Sequence, residues 1–225
     1  MTQAAAQTAA ENPSLGKSQA FYHLRYLADG RLHSLAHQLE AAISLEPRRV
    51  LEIGVGSGIA AAALRSVGVE VTTLDIAESL EPDVVASVTE MPFDDGAFDV
   101  ANCCEVLEHV PFDEVSLALK EIRRVVRRGL VMSVPDVTKH FDFTIAAPEL
   151  GRHRLSISVP RPFPKPIPKR KWDSMGHHWE IGYRGYSLGR VKGVMREAGW
   201  TIRRTWRVPE KAWHRFFVLE KPGAG

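Results

Sequence analysis

The chain has 225 residues, of which 44% are hydrophobic and 25% charged, enough for one large core and too few for two ordinary domains. These proportions exclude collagen-like, wholly disordered and disulfide-stapled classes, and no stretch approaches the ~18 apolar residues that a membrane span needs. The two cysteines, Cys103 and Cys104, are adjacent, so no zinc or redox spacing exists, and free thiols point to a reducing compartment. The expectation is a soluble, cytoplasmic chain with a flexible tail at 1–18 and a single domain at 19–225. The net charge of +2 is unevenly spread: residues 1–150 carry 12 Lys/Arg against 22 Asp/Glu, and residues 151–225 carry 17 against 5. Such a split marks a surface for an anionic ligand, such as nucleic acid, a phosphorylated or carboxylated small molecule or an acidic carrier, unless the two halves neutralise each other within one fold.

In chain order, apolar residues recur at helical spacing over 21–43, broken at Asp29-Gly30. Val50 to Ile53 reads as a short strand that runs into Gly54-Val55-Gly56-Ser57-Gly58. An alanine-rich helix follows at 59–66, then strands at 69–74 and 84–88 and another at 98–104. The spacing of Val115, Leu119, Ile122 and Val126 predicts an amphipathic helix over 114–128, and 130–134 a strand stopped by Pro135. Residues 137–186 show no clear period and include a proline-alternating strip at 160–168, which favours an extended path. Ser187 is a cap for a helix ended by Gly199, and strands at 200–208 and 214–219 close the chain. Strands alternating with helices predict a mostly parallel sheet covered on both faces.

The glycine-rich turn is the first chemical signal. Gly54 allows a tight turn, Gly56 a close backbone approach to a ligand, and Gly58 opens a helix whose N–H groups point outward. A dinucleotide fingerprint requires G-x-G-x-x-G, and Ile59 breaks it. Asp75 ends the next strand, at the distance where a carboxylate accepts both hydroxyls of a ribose.

Val50-Leu51-Glu52-Ile53-Gly54-Val55-Gly56-Ser57-Gly58 resembles the first motif of the class I S-adenosylmethionine-dependent methyltransferases, and Leu74-Asp75 their second. Residues 88–99 are similar to the family's approach to its fourth strand, and Cys104-Glu105-Val106-Leu107-Glu108-His109-Val110 to the strand end that follows. Ser133-Val134-Pro135-Asp136 and Glu197-Ala198-Gly199-Trp200 continue the likeness. The resemblance implies an α/β, Rossmann-like sheet of seven strands with the last antiparallel, joined here by N-terminal helices and a cap insertion at 137–186. It implies S-adenosylmethionine as cofactor, with Glu52, Gly54, Gly56 and Gly58 along its methionine and ribose portion. Asp75 would take the ribose hydroxyls, Ile76, Val88 and Thr89 the adenine, and Glu105 and Val106 the sulfonium end. Ser87 stands where many relatives have an Asp, and the short segment from Asp75 to Ser87, with Pro82 inside it, predicts a loop in place of a helix.

The stretch Gly176-His177-His178-Trp179-Glu180-Ile181-Gly182-Tyr183 is expected to return over the strand ends, with His178 or His177 as general base and Glu180 orienting it. His109 is a further base candidate, and Phe141 and Tyr183 are candidates to hold a sulfonium cation. No metal constellation stands out, with Asp136, Asp142 and Glu149 the carboxylates that leave one open. The expected activity is methyl transfer to an oxygen or nitrogen of a small, anionic or carrier-bound molecule. Two alternatives stand beside it. One is a cyclase that closes S-adenosylmethionine into azetidine-2-carboxylate or homoserine lactone with release of methylthioadenosine; the other is a nucleic-acid-binding protein on the same fold.

Overall fold

A computed structural model describes residues 30–149, 151–159, 163–169, 171 and 175–223. The expected tail at 1–18 and the first part of the helix expected at 21–43 lie outside these residues. Helix α1 (Arg31–Ile43) opens directly after Gly30, the expected break, which sits at φ 75°. Strand β1 (Arg49–Ile53) leads through the glycine turn to α2 (Ile59–Ser66) and β2 (Glu70–Asp75). Then come β3 (Val84–Val85), β4 (Phe98–Cys104), α3 (Val115–Val125) and β5 (Val126–Pro135). A hairpin of β6 (His140–Ala147) and β7 (Gly151–Ser158) precedes α4 (Leu188–Glu197), β8 (Thr201–Val208) and β9 (Lys211–Glu220).

Seven strands form one sheet in the order β3-β2-β1-β4-β5-β9-β8. The last strand, β9, runs antiparallel to both β5 and β8, and the remaining described pairings of this sheet are parallel. The order reverses beside β1, between β2 and β4, and in such sheets ligands bind outside the strand C-termini at the point of reversal. One face is covered by α3 and α4. The buried positions of α3 are Val115, Ala118, Leu119, Ile122 and Val125, a single stripe that packs into the main core with Met195, Trp200 and Phe217. On the other face Ala41 and Ala42 of α1 meet Val100, Val131, Phe216 and Val218.

The structure corrects several boundaries. The expected helix over 114–128 ends at Val125 because Val126 already pairs with Phe98, and β5 extends back to it. The third strand shrinks from 84–88 to two residues, and between Asp75 and β3 the helix gives way to a loop with a 3-10 turn at Glu78–Leu80, as its length and Pro82 predicted. Within 137–186, where no period was expected, β6 and β7 pair in register from His140↔Ser158 to Ala147↔Gly151. Phe141, Phe143, Ile145, Leu155 and Ile157 of this hairpin are exposed, so their alternation lacked the buried-core context that usually marks a strand. In β9, Trp213 is exposed beneath the Lys211 ammonium, whereas His214, Phe216 and Phe217 are buried.

At the end of β5 the buried Asp136 carboxylate holds two guanidinium groups, Arg207 at 2.6 Å and Arg215 at 2.5 Å, and accepts the Thr138 N–H. Asp136→Ala removes the carboxylate between two buried cations and is expected to lower unfolding stability by about 3–5 kcal/mol in urea titration. Arg203→Ala, which removes a half-exposed pair with Glu220, should cost less than about 1 kcal/mol; equal losses would contradict this reading. A second prediction concerns Glu52 on β1, buried and hydrogen-bonded by Gln38 of α1 and Asn102 of β4. Burial, only partly offset by those two bonds, pushes its carboxyl up to about 7 from an ordinary 4.5. The folded chain therefore holds this proton more tightly than the unfolded chain, and stability falls as pH rises from about 4.5 to about 7. Glu52→Gln should flatten the slope by on the order of 1–3 kcal/mol across that window. Unfolding midpoints that follow the same pH course in both proteins would refute the assignment.

Candidate functional site

The turn after β1 is built around a close approach. A Cβ at Gly54 would stand 2.4 Å from Val106 Cγ2, and Gly54 sits at φ 86°, so only glycine lets the β4 exit lie against this turn. At Gly58, φ 73°, an added Cβ would meet nothing within 4 Å, which leaves open space at the start of α2. The loop is latched from β2: Asp75 accepts the Val55 N–H through Oδ2 and the Ala77 N–H through Oδ1, both at 2.9 Å. Ile76, next to it, is 48% exposed. Val88 is buried, while Thr89 is half-buried and hydrogen-bonds Ser87 through their hydroxyls at 2.7 Å.

The β4 exit is conformationally strained. Glu105 is held at φ 58°, a region that costs a non-glycine residue about 1–3 kcal/mol and persists only where the surroundings impose it. Here Ser133 imposes it, accepting the Glu105 N–H with its carbonyl at 2.9 Å and donating its hydroxyl to Oε1 at 2.9 Å. His214 Nε2 stands 3.3 Å from Oε2. Burial, with a smaller push from the charge of Glu180, raises the Glu105 carboxyl to about 7 against the Ser133 bond and the charges of Arg31 and Lys211. Burial, then the same Arg31 and Lys211, pushes His214 down to about 3.

Beyond Val106 the 3-10 turn Leu107–His109 is gripped by the returning segment. The buried Trp179 indole donates to the carbonyls of Leu107 at 3.0 Å and Val110 at 3.1 Å, and the His178 N–H donates to the Glu108 carbonyl. Val137 and Ile181 extend the grip to the end of β5, each N–H donating to a carbonyl across the gap, Ile181 and Pro135 respectively. His109 Nδ1 lies 3.1 Å from the Gly176 carbonyl, and His177 Nδ1 lies 2.7 Å from Glu180 Oε1, which also takes the Lys171 ammonium at 2.9 Å. Burial alone would raise the Glu180 carboxyl, but the bonds from His177 and Lys171 outweigh it and hold it below the usual range. His178 is pushed down by burial.

The structure thus gathers Gly54, Gly56, Gly58, Asp75, Glu105 and Val106 along one edge of the sheet, with Glu52 buried under it. His109, His178 and Glu180 come together at the β4 exit, and Tyr183 follows in the turn after them, half-buried. Phe141 stands apart on β6, 58% exposed opposite Ile157. Of the carboxylates that left a metal site open, Asp136 is committed to Arg207 and Arg215, and Glu149 is exposed beside the hairpin turn. Sequence reasoning did not group Glu108, His109 and His177, whose ligand atoms lie within 4.8 Å of one another. Adjacency of Glu108 and His109 was the only local signal. Among the described residues no helix is long and apolar enough to cross a membrane.

A family described as a methyltransferase domain matches residues 51–133. The ubiquinone biosynthesis O-methyltransferase of Bordetella avium is 37% identical over 87 residues, covering 32% of this chain and 36% of that protein; the chain spans about a third of the length of the curated relatives it matches. Among solved structures, the 1,6-didemethyltoxoflavin-N1-methyltransferase of Burkholderia thailandensis superposes with a TM-score of 0.57 at 18% identity, over 88% of this chain and 81% of that one. The magnesium protoporphyrin IX methyltransferase of Synechocystis PCC 6803 does so with a TM-score of 0.60 at 13% identity, over 98% and 100%. At these identities the superpositions speak for the fold. Residues 51–133 thus match a methyltransferase domain, and the sheet order with the superpositions shows the Rossmann-like fold of the class I S-adenosylmethionine-dependent methyltransferases.

Proposed function

We propose that the chain transfers a methyl group from S-adenosylmethionine to an oxygen of a small, anionic acceptor. The observation that carries this reading is the cradle between β1, β2 and β4: a glycine turn pressed on Val106, open space at Gly58 and a carboxylate at Asp75 beside an exposed Ile76. These residues fit an adenosyl group with an amino-acid tail. Each oxygen of Asp75 takes one backbone N–H and keeps a lone pair for a ribose hydroxyl, Ile76 offers an apolar face to adenine with Val88 and Thr89 at its edge, and the first turn of α2 presents N–H groups to the tail carboxylate. Glu52 braces the floor of the cradle, and Glu105 and Val106 form the wall between donor and acceptor.

When bound, S-adenosylmethionine supplies a methyl carbon made electrophilic by the adjacent sulfonium, so the protein's part is to align the acceptor oxygen in line with it and to take one proton. His109, His178 and Glu180 with its partner His177 stand on the acceptor side, with Tyr183 after them. The matched relatives are O-methyltransferases by name, which favours an oxygen. The excess of Lys/Arg over Asp/Glu in residues 151–225, 17 against 5, favours an acceptor that carries a carboxylate.

Calorimetry with S-adenosylhomocysteine tests the donor half. The wild-type chain should bind it, and Asp75→Ala, which releases both latched N–H groups, should weaken binding at least about tenfold, the loss of roughly 1.4 kcal/mol; unchanged affinity would remove Asp75 from the site. The acceptor half is tested by incubation with S-adenosylmethionine and a panel of small hydroxy-carboxylates. S-adenosylhomocysteine forming only with an acceptor supports methyl transfer. Enzyme-dependent methylthioadenosine without one would overturn it in favour of ring closure.

A further inference from the structure

The cluster on the acceptor side has a feature that proton transfer alone does not need. Glu108, His109 and His177 bring a carboxylate and two imidazoles within 4.8 Å of one another, and Glu108 is only 1% exposed. Neighbouring ligands of a tetrahedral zinc-like ion, each ~2.0–2.1 Å from it, stand about 3.3–3.4 Å apart, so an inward shift of side chains of about 1–1.5 Å closes these three groups on one cation. We propose that Glu108, His109 and His177 form a binding site for a divalent transition-metal ion.

The orientation of both rings supports this. The Gly176 carbonyl and the Glu180 carboxylate can only accept, so His109 and His177 each carry their proton on Nδ1. Each ring is then left with Nε2 as its basic nitrogen. Histidine ligands are fixed in this way, with the distal N–H given to a carbonyl or a carboxylate, and the two kinds of partner occur here side by side. Glu180 is a positioning residue in this arrangement: its Oε1 takes both His177 and the Lys171 ammonium, which balances its charge. The rings meet edge to face with centroids 4.9 Å apart, held by the backbone bonds that tie 176–182 to the β4 exit. Two imidazole nitrogens and one carboxylate suit Zn²⁺, Co²⁺, Fe²⁺ or Mn²⁺, whereas Mg²⁺ prefers an all-oxygen shell. Three protein ligands leave positions for an outside oxygen. If the methyl-transfer reading holds, on which this last step alone rests, that oxygen is the acceptor hydroxyl, whose proton the ion makes easier to remove.

The test uses the full chain stripped with chelator and then titrated separately with Zn²⁺, Co²⁺ and Mg²⁺. One Zn²⁺ or Co²⁺ per chain is expected by calorimetry, with the visible absorption of nitrogen-ligated Co²⁺. His109→Gln and His177→Gln should abolish that absorption. Glu180→Gln should weaken the ion's affinity by roughly 10–100-fold while keeping the three ligands, and the exposed hairpin variant His153→Gln should bind as wild type. Because a histidine variant can lose its fold, protection is also read in the wild-type chain: Zn²⁺ should shield His109 and His177, but not His153, from diethyl pyrocarbonate. Stoichiometry near zero, unshielded rings, or Mg²⁺ bound in preference to Zn²⁺ would each overturn the site. Metal binding without S-adenosylhomocysteine binding would sink the methyl-transfer reading and leave the metal site standing.

Discussion

A single indole N–H, that of Trp179, shared between the carbonyls of Leu107 and Val110, ties the returning segment to the β4 exit, between the two halves of the proposed site. Its ring is fully buried beside Phe112 and Tyr186, so the indole cannot turn to water and the carbonyls cannot be left unmet without cost. The turn it holds is the one that Val106 presses onto Gly54 from the other side. In the proposed site, the donor cradle and the acceptor cluster are thus joined through the chain at 105–110. The left-handed Glu105 is the visible cost of fitting a strand end between two such grips.

The charge split along the sequence finds its meaning inside the fold. A carboxylate from the acidic part, Asp136, meets two cations from the basic part, Arg207 and Arg215, in a buried cluster. Neutralisation across one fold therefore absorbs part of the asymmetry. Near the end of β5, burial, with Arg31 from the acidic part and Lys211 from the basic part, holds the His214 imidazole toward its neutral form.

Features set by local chemistry were readable from the residues alone. The glycine turn, the Asp75 strand end, the Ser187 cap that accepts the Arg190 N–H and the loss of a helix after Asp75 all depend on neighbours within a few positions. Boundaries set by pairing were not: Val126 looks helical beside Val115 to Ile122, and it is the register with Phe98 that turns it into strand. The grouping of His109 with His177 was equally hidden, because the Trp179 anchor and the His178 N–H, not any motif spacing, bring the two segments together. The hairpin at 140–158 has a period of two, but its apolar side faces outward, so the usual link between alternation and a core gave no guidance.

The most direct measurement is a crystal structure of the chain with S-adenosylhomocysteine. The account predicts the ribose hydroxyls on the Asp75 carboxylate, adenine against Ile76, the amino-acid tail along Gly54 to Gly58, and the sulfur facing Val106 and the turn pinned by Trp179. An adenosyl group bound elsewhere, or a cradle left filled by its own side chains at saturating ligand, would contradict it.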